Sequence, residues 1–215
     1  MNSDRALFPG EWLVCFAVKE EAAADLYRDP TIRIFITGMG RANAEGSVSQ
    51  AIKLSKPSLV LTCGFTGGLD PSLATGTVLF ATESAPQLEH SLLAAGARPA
   101  KFVCLDRIAI TAGEKRALRQ STGGDAVEME SGHIGAVCAA HSIPCATVRV
   151  ILDAAEEDLP LDFNQLMTKD CRIDFKRLVL LLFKHPAKIK SLLRLQKQSR
   201  AAADKLADVL TGLVR

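Results

Sequence analysis

Short apolar runs alternate along this chain with polar, glycine-bearing turns and with stretches of helical periodicity. Residues 12–18 are apolar and lead into Lys19-Glu20-Glu21 and an alanine-rich stretch, which predicts a strand followed by a helix. Residues 31–37 read as a second strand, closed by Gly38-Met39-Gly40. From position 41 to about 54, Ala42, Ala44, Val48, Ala51 and Ile52 recur at helical spacing, and Pro57 ends that helix. Residues 59–62 predict a buried strand, residues 64–69 (Gly-Phe-Thr-Gly-Gly-Leu) a glycine-rich turn, and residues 77–82 another strand. Residues 101–111 supply one strand or two short ones. Residues 127–140 read as a strand end plus a helix, and 145–153 as the last strand. Strands alternating with helices predict an α/β fold, a three-layer sandwich around a mixed, largely parallel central sheet.

Beyond that body the pattern changes. Charges and Pro160 interrupt any periodicity over 154–170, which reads as a loop. Residues 172–184 and 187–213 then form two helical patterns separated by His185-Pro186, with Leu178, Leu181, Leu182, Ile189, Leu192 and Leu193 among their apolar positions. The expected organisation is an α/β body over 1–170 and an amphipathic helical extension over 171–215. Charge follows this division. The net charge is only +2, yet residues 169–215 hold 12 Lys/Arg against 4 Asp, leaving 14 basic and 20 acidic residues in the remainder. A basic amphipathic helix suits an anionic membrane surface; packing on the body or on a second subunit is the other reading.

The chain has 215 residues, one Trp, one Tyr and six cysteines scattered singly. Scarce aromatics argue against a base-stacking nucleic-acid platform, and lone thiols within apolar strands behave as small hydrophobes rather than as metal ligands. The four histidines form no ligand spacing. With no signal-like start and no apolar run of the ~18 residues a membrane span needs, the expected location is cytoplasmic, with peripheral contact at the inner membrane surface open to the tail.

Candidate chemistry concentrates between Val127 and Asp153. Glu130 stands where a helix begins, Asp153 where a strand stops, and ligands of open α/β sheets bind beyond the carboxyl ends of strands. Gly38-Met-Gly, Gly64-Phe-Thr-Gly-Gly-Leu, Val127-Glu-Met-Glu-Ser and Val148-Arg-Val-Ile-Leu-Asp, in this order, resemble the nucleoside phosphorylase/nucleosidase superfamily over about residues 12–153. The 5'-methylthioadenosine/S-adenosylhomocysteine nucleosidase branch is the more similar one. The tail, with Lys-His-Pro-Ala-Lys-Ile-Lys-Ser-Leu-Leu-Arg-Leu at 184–195, is similar to that of hopanoid-biosynthesis-associated members, thought to remove adenine from adenosylhopane.

The resemblance implies roles residue by residue. Asp153 matches the acid that protonates purine N7, Glu130 the acid that accepts from the ribose hydroxyls, and Met129 an apolar wall against the ribose. Glu21, preferred over Glu20, matches the base that activates water; the bland alternative is an ordinary first-turn helix acid. Phe65, Thr66 and Gly67 match the substrate-binding segment, where Gly67 and Gly68 would allow close backbone approach. Three departures stand out: Phe65 and Leu152 replace usual serines, and Thr111-Ala-Gly-Glu-Lys replaces an aromatic-containing segment. They imply a greasier sugar side and a substrate with a hydrophobic 5' substituent. No metal or organic cofactor is expected. Hydrolysis is favoured over phosphorolysis, although phosphate as co-substrate stays open with Arg41 as one donor. The partners implied are a small nucleoside and further copies of the chain in a homo-oligomer. A purine nucleoside phosphorylase, a methylthioadenosine nucleosidase and a non-catalytic binding module are the alternatives.

Overall fold

The computed structural model describes residues 3–23, 26–27, 32–168 and 170–214. In chain order its elements begin with α1 (Ser3–Leu7), β1 (Trp12–Phe16), β2 (Ile32–Ile36), α2 (Arg41–Leu54), β3 (Leu59–Gly68), β4 (Val78–Ala81), α3 (Glu89–Ala94) and β5 (Arg98–Pro99). They continue with β6 (Phe102–Cys104), α4 (Ala112–Thr122), β7 (Ala126–Glu128), α5 (Ser131–Ala140), β8 (Cys145–Asp153), α6 (Phe163–Leu166), α7 (Phe175–Lys184) and α8 (Ala187–Val214). The sheet runs β2-β1-β3-β8-β4-β5, with β7 added antiparallel to β3 and β6 parallel to β7. β1, β2, β3 and β8 are mutually parallel, and β4 runs antiparallel to β8. The sheet is therefore mixed and largely parallel, as the alternation of elements implies.

Period-two alternation builds the layers. Trp12, Val14 and Phe16 of β1, with Leu59, Leu61 and Cys63 of β3, face a core shared with α3 and the second half of α8. Leu13 and Cys15 of β1, with Val60 of β3, point the other way, onto Ala44, Val48 and Ile52 of α2 and Ile134 and Cys138 of α5. Central strands buried on both faces read as continuous apolar runs, which is why they were legible. The last helix is part of this core: Ala202, Leu206, Val209, Leu210 and Leu213 are buried in the first cluster. Burying each such Leu or Val contributes roughly 1.5–3 kcal/mol.

Several expectations change. The glycine-rich segment 64–68 is the outer half of β3, not a turn, because it pairs with β8 through Gly64↔Arg149 and with β7 through Gly67↔Val127. A regular helix does not follow β1 directly; Lys19–Glu21 is one 3₁₀ turn and Ala22 is already extended. Ala24 and Asp25 of the alanine-rich stretch, and Thr31 of the second strand, lie outside the described residues. The loop expected over 154–170 contains the short helix α6. Residues 112–122, to which the sequence pattern assigned no element, form α4, started by the Thr111 side chain accepting from the Glu114 amide and ended by left-handed Gly123. α7 begins three residues later than its periodicity suggests because the Asp174 side chain caps it, accepting from the Lys176 and Arg177 amides.

Candidate active site

Parallel strands β1, β3 and β8 bring their carboxyl ends to one edge of the sheet, and a cavity of about 720 Å³ opens there. Its volume suits a small organic ligand. Glu21, Phe65, Thr66, Gly67, Met129, Glu130 and Asp153 all line it, so the residues singled out in the sequence come together. Glu20 is exposed at the rim, and Glu21 is the acid that turns inward. Arg41 is exposed, pairs with Glu45 at 3.0 Å and does not line the cavity.

The polar end is organised by Arg149, a fully buried guanidinium on β8. Its Nη2 donates to Glu128 Oε2 at 2.8 Å, to Glu130 Oε2 at 3.3 Å and to Thr62 Oγ1 at 3.2 Å, and Nη1 reaches the Phe65 carbonyl at 3.4 Å. Burial alone would lower the Arg149 pKa, but the surrounding Glu128, Glu130 and Glu21 outweigh it and raise it. Room for the cation comes from Gly64, its partner in the β3–β8 register. A Cβ at Gly64 would fall 2.9 Å from Arg149 Nη1 and 2.6 Å from Glu21 Oε1, and its φ of +144 lies in the region that favours glycine.

Each carboxylate has a different holder. Glu21 accepts from the Ala17 and Val18 amides at Oε2 (2.9 and 3.1 Å) and from the Phe65 amide at Oε1 (2.9 Å). Burial pushes its carboxyl up to about 7, against the opposing pull of Arg149 and these amides. Glu128 accepts from the Glu130 and Ser131 amides and from the Ser131 hydroxyl, closing the start of α5. Burial opposes its ionisation, yet Arg149 and the Ser131 hydroxyl hold it below the usual carboxylate range. Glu130 accepts from the Gly40 amide at 3.0 Å, at the start of α2, where the helix dipole favours an anion. Glu130 therefore occupies the donor that a phosphate loop at Gly38-Met-Gly40 would offer.

Asp153, at the tip of β8, meets a different cation. Lys115 of α4 is completely buried; its ammonium pairs with Asp153 Oδ2 and donates to the Ala154 and Glu157 carbonyls, both at 2.8 Å. Burial raises the Asp153 pKa, and the neighbouring Lys115 only moderates the rise. Thr66 is committed elsewhere: its hydroxyl donates to the Val127 carbonyl at 2.8 Å. The segment 111–115 contributes only through Lys115, while Ile108 and Ala109, just upstream, line the cavity. Arg149, Glu128 and Lys115 are the charged positions in and beside the cavity that sequence reasoning passed over. A lone Arg inside the apolar run Val148–Asp153 was the available signal, since a buried charge must be paired. Nothing in the local sequence marks Lys115.

The rest of the cavity lining is largely aliphatic. Phe65 and Leu152 join Leu178 and Leu182 of α7 and Ile189 and Leu192 of α8. Two of the three departures noted in the sequence thus line the same cavity as the tail helices.

A family model described as "Phosphorylase superfamily" matches residues 97–184. A 5'-methylthioadenosine/S-adenosylhomocysteine nucleosidase from Glaesserella parasuis is 29% identical over 171 residues, covering 63% of this chain and 74% of its own length. Futalosine hydrolase of Helicobacter pylori superposes with a TM-score of 0.68 at 15% identity, over 94% of this chain and 99% of its own. A methylthioadenosine/S-adenosylhomocysteine nucleosidase from Colwellia psychrerythraea, solved in complex with adenine, gives 0.70 at 13% identity, over 95% and 94%. The chain is thus similar to enzymes of the phosphorylase superfamily, at distant identity to methylthioadenosine/S-adenosylhomocysteine nucleosidases, and shares the fold of such enzymes.

Proposed function

We propose that the enzyme cleaves the N-glycosidic bond of an adenine-type nucleoside carrying a hydrophobic 5' substituent. The observation that carries this reading is one cavity lined both by Glu21, Glu130 and Asp153 and by aliphatic side chains of α7 and α8. Protonated Asp153 donates to purine N7 as the C1'–N9 electron pair leaves with the base. A raised pKa supports that proton's presence. The ammonium of Lys115 then stabilises the carboxylate left behind. Glu130 accepts from the ribose hydroxyls and favours the oxocarbenium-like sugar, with Met129 as the apolar wall beside it. Glu21, with a pKa of about 7, takes the proton of the attacking water.

Water is the better-supported acceptor. The nearest buried cation, Arg149, is already shared by three glutamates, so a phosphate would meet net negative charge. The sequence resemblance extends the reading to a polycyclic lipid on the 5' carbon, as in adenosylhopane, and to a homo-oligomer. The deciding experiment is adenine release from a panel of 5'-substituted adenosines, with and without phosphate. Phosphate-independent release that rises with apolar chain length is expected. Release that requires phosphate, or that is greatest for unsubstituted adenosine, overturns the respective part. Light scattering of the same preparation reads the oligomer.

A further inference from the structure

α7 is apolar on two sides. Leu178 and Leu182 turn inward and line the cavity, whereas Val179, Leu180 and Phe183 are exposed, Phe183 at 87%. Phe175 serves both sides, lining the cavity while staying largely exposed. A helix apolar around most of its circumference needs apolar surroundings on more than one side. The protein supplies them on one side only. Such an outward patch marks an interaction surface.

Charge identifies the second environment. From Phe175 to Arg200 the chain carries eight Lys/Arg and no Asp or Glu. Lys176, Lys184, Lys190 and Arg194 of this stretch are exposed, and Lys176 lies among the apolar side chains of the patch. A second copy docking here through a two-fold axis would set one cationic strip against its twin, a juxtaposition that costs binding energy. An anionic lipid surface is complementary both to the strip and to the apolar side chains within it. No helix among the described residues is long and apolar enough to cross a membrane, so the contact would be interfacial.

We propose that the outer face of α7, with the start of α8, docks on an anionic lipid bilayer. Val179, Leu180 and Phe183 enter the acyl boundary, and the lysines extend to the headgroups. Since α7 is also a cavity wall, docking sets the aliphatic end of the cavity beside the lipid. Docking of this face is independent of which nucleoside the cavity holds.

The test is flotation of the full chain with vesicles of phosphatidylcholine alone and of equal parts phosphatidylcholine and phosphatidylglycerol. Two variants accompany it: Val179→Asn with Phe183→Ser, and Lys184→Gln with Lys190→Gln. Neither pair lines the cavity, so turnover of a short, water-soluble 5'-alkyl adenosine should be unchanged in both, which also reports their folding. Binding only to the phosphatidylglycerol vesicles is expected, weakened by salt and by the lysine variant. The apolar variant should bind at least about tenfold more weakly, since two side chains lose their burial. Absence of vesicle binding by the full chain overturns the proposal. So does unchanged binding by the apolar variant, which would mean adsorption by charge alone. A dimer seen by light scattering that dissociates in the apolar variant would assign the face to a second copy instead.

Discussion

At one end of the cavity Glu21, Glu128 and Glu130 surround the guanidinium of Arg149, and each of their oxygens is held by a backbone amide, a hydroxyl or that cation. The aliphatic part of the lining, Phe65, Leu152, Leu178, Leu182, Ile189 and Leu192, offers no side-chain hydrogen-bonding group at all. The first end is built on strand tips and glycine contacts of the central sheet, where positions are fixed by register. The second is built partly on α7 and the first half of α8, which carry no residue of the main buried clusters. The proposed chemistry thus rests on the well-packed sheet, and the proposed substrate choice on the helical wall.

The largest expected effect removes the proton donor. Asp153→Asn should lower adenine release by roughly 10²–10⁴-fold, the usual range for general acid catalysis, while a non-hydrolysable adenosine analogue still binds. Turnover retained within tenfold would take the acid's role away from Asp153. Next is the compensation of charge. Arg149→Met leaves three glutamates around an apolar side chain, and urea unfolding should show a loss of about 3–5 kcal/mol. A variant of near-native stability would mean that the glutamates protonate or rearrange at little cost.

A third prediction separates the two ends directly. Leu178→Ala with Leu182→Ala enlarges only the aliphatic end. Specificity, as kcat/KM, for a long apolar 5' substituent should drop about tenfold or more, while adenosine itself is cleaved as before. An equal loss for both substrates would show that the wall also supports the polar end, and the division drawn above would not hold.

How far the sequence announced this arrangement follows the same division. β1, β3 and β8 were legible because strands buried on both faces read as apolar runs, and the acids at their ends stood out against that background. The outer half of β3 was misread because its glycines signal a turn locally. Only the register shows that Gly64 makes way for Arg149 and that Gly67 lies opposite Asp153. Lys115 was invisible for another reason. Its contact with Asp153 spans 38 positions and depends on how α4 packs, which no local pattern encodes. The helical character of the tail was legible from its periodicity, but not which apolar positions face the cavity and which face outward.

The smallest expected effect lies in the pH response of the polar end. Glu21 must be ionised to accept the proton of water, and its pKa of about 7 predicts that kcat/KM falls towards tenfold per unit as the pH drops below that value. Two charged groups act on it directly, Arg149 lowering the pKa and Glu130 raising it. Stability should respond in the opposite sense. An acid whose folded pKa exceeds its ordinary value of 4.5 binds extra protons in the folded state between the two values. Its contribution is fully present below about 4.5 and is lost as the pH rises through about 7. The raised pKa of Asp153 acts in the same direction, whereas Glu128, held low, stabilises above the ordinary carboxylate range and loses that contribution in acid. Over the window from 4.5 to 7, activity should therefore rise while this part of the stability declines. Glu21→Gln should remove the activity limb and flatten the stability profile together. Loss of only one of them would assign the pH dependence of the other to a different group, with Asp153 the first to examine.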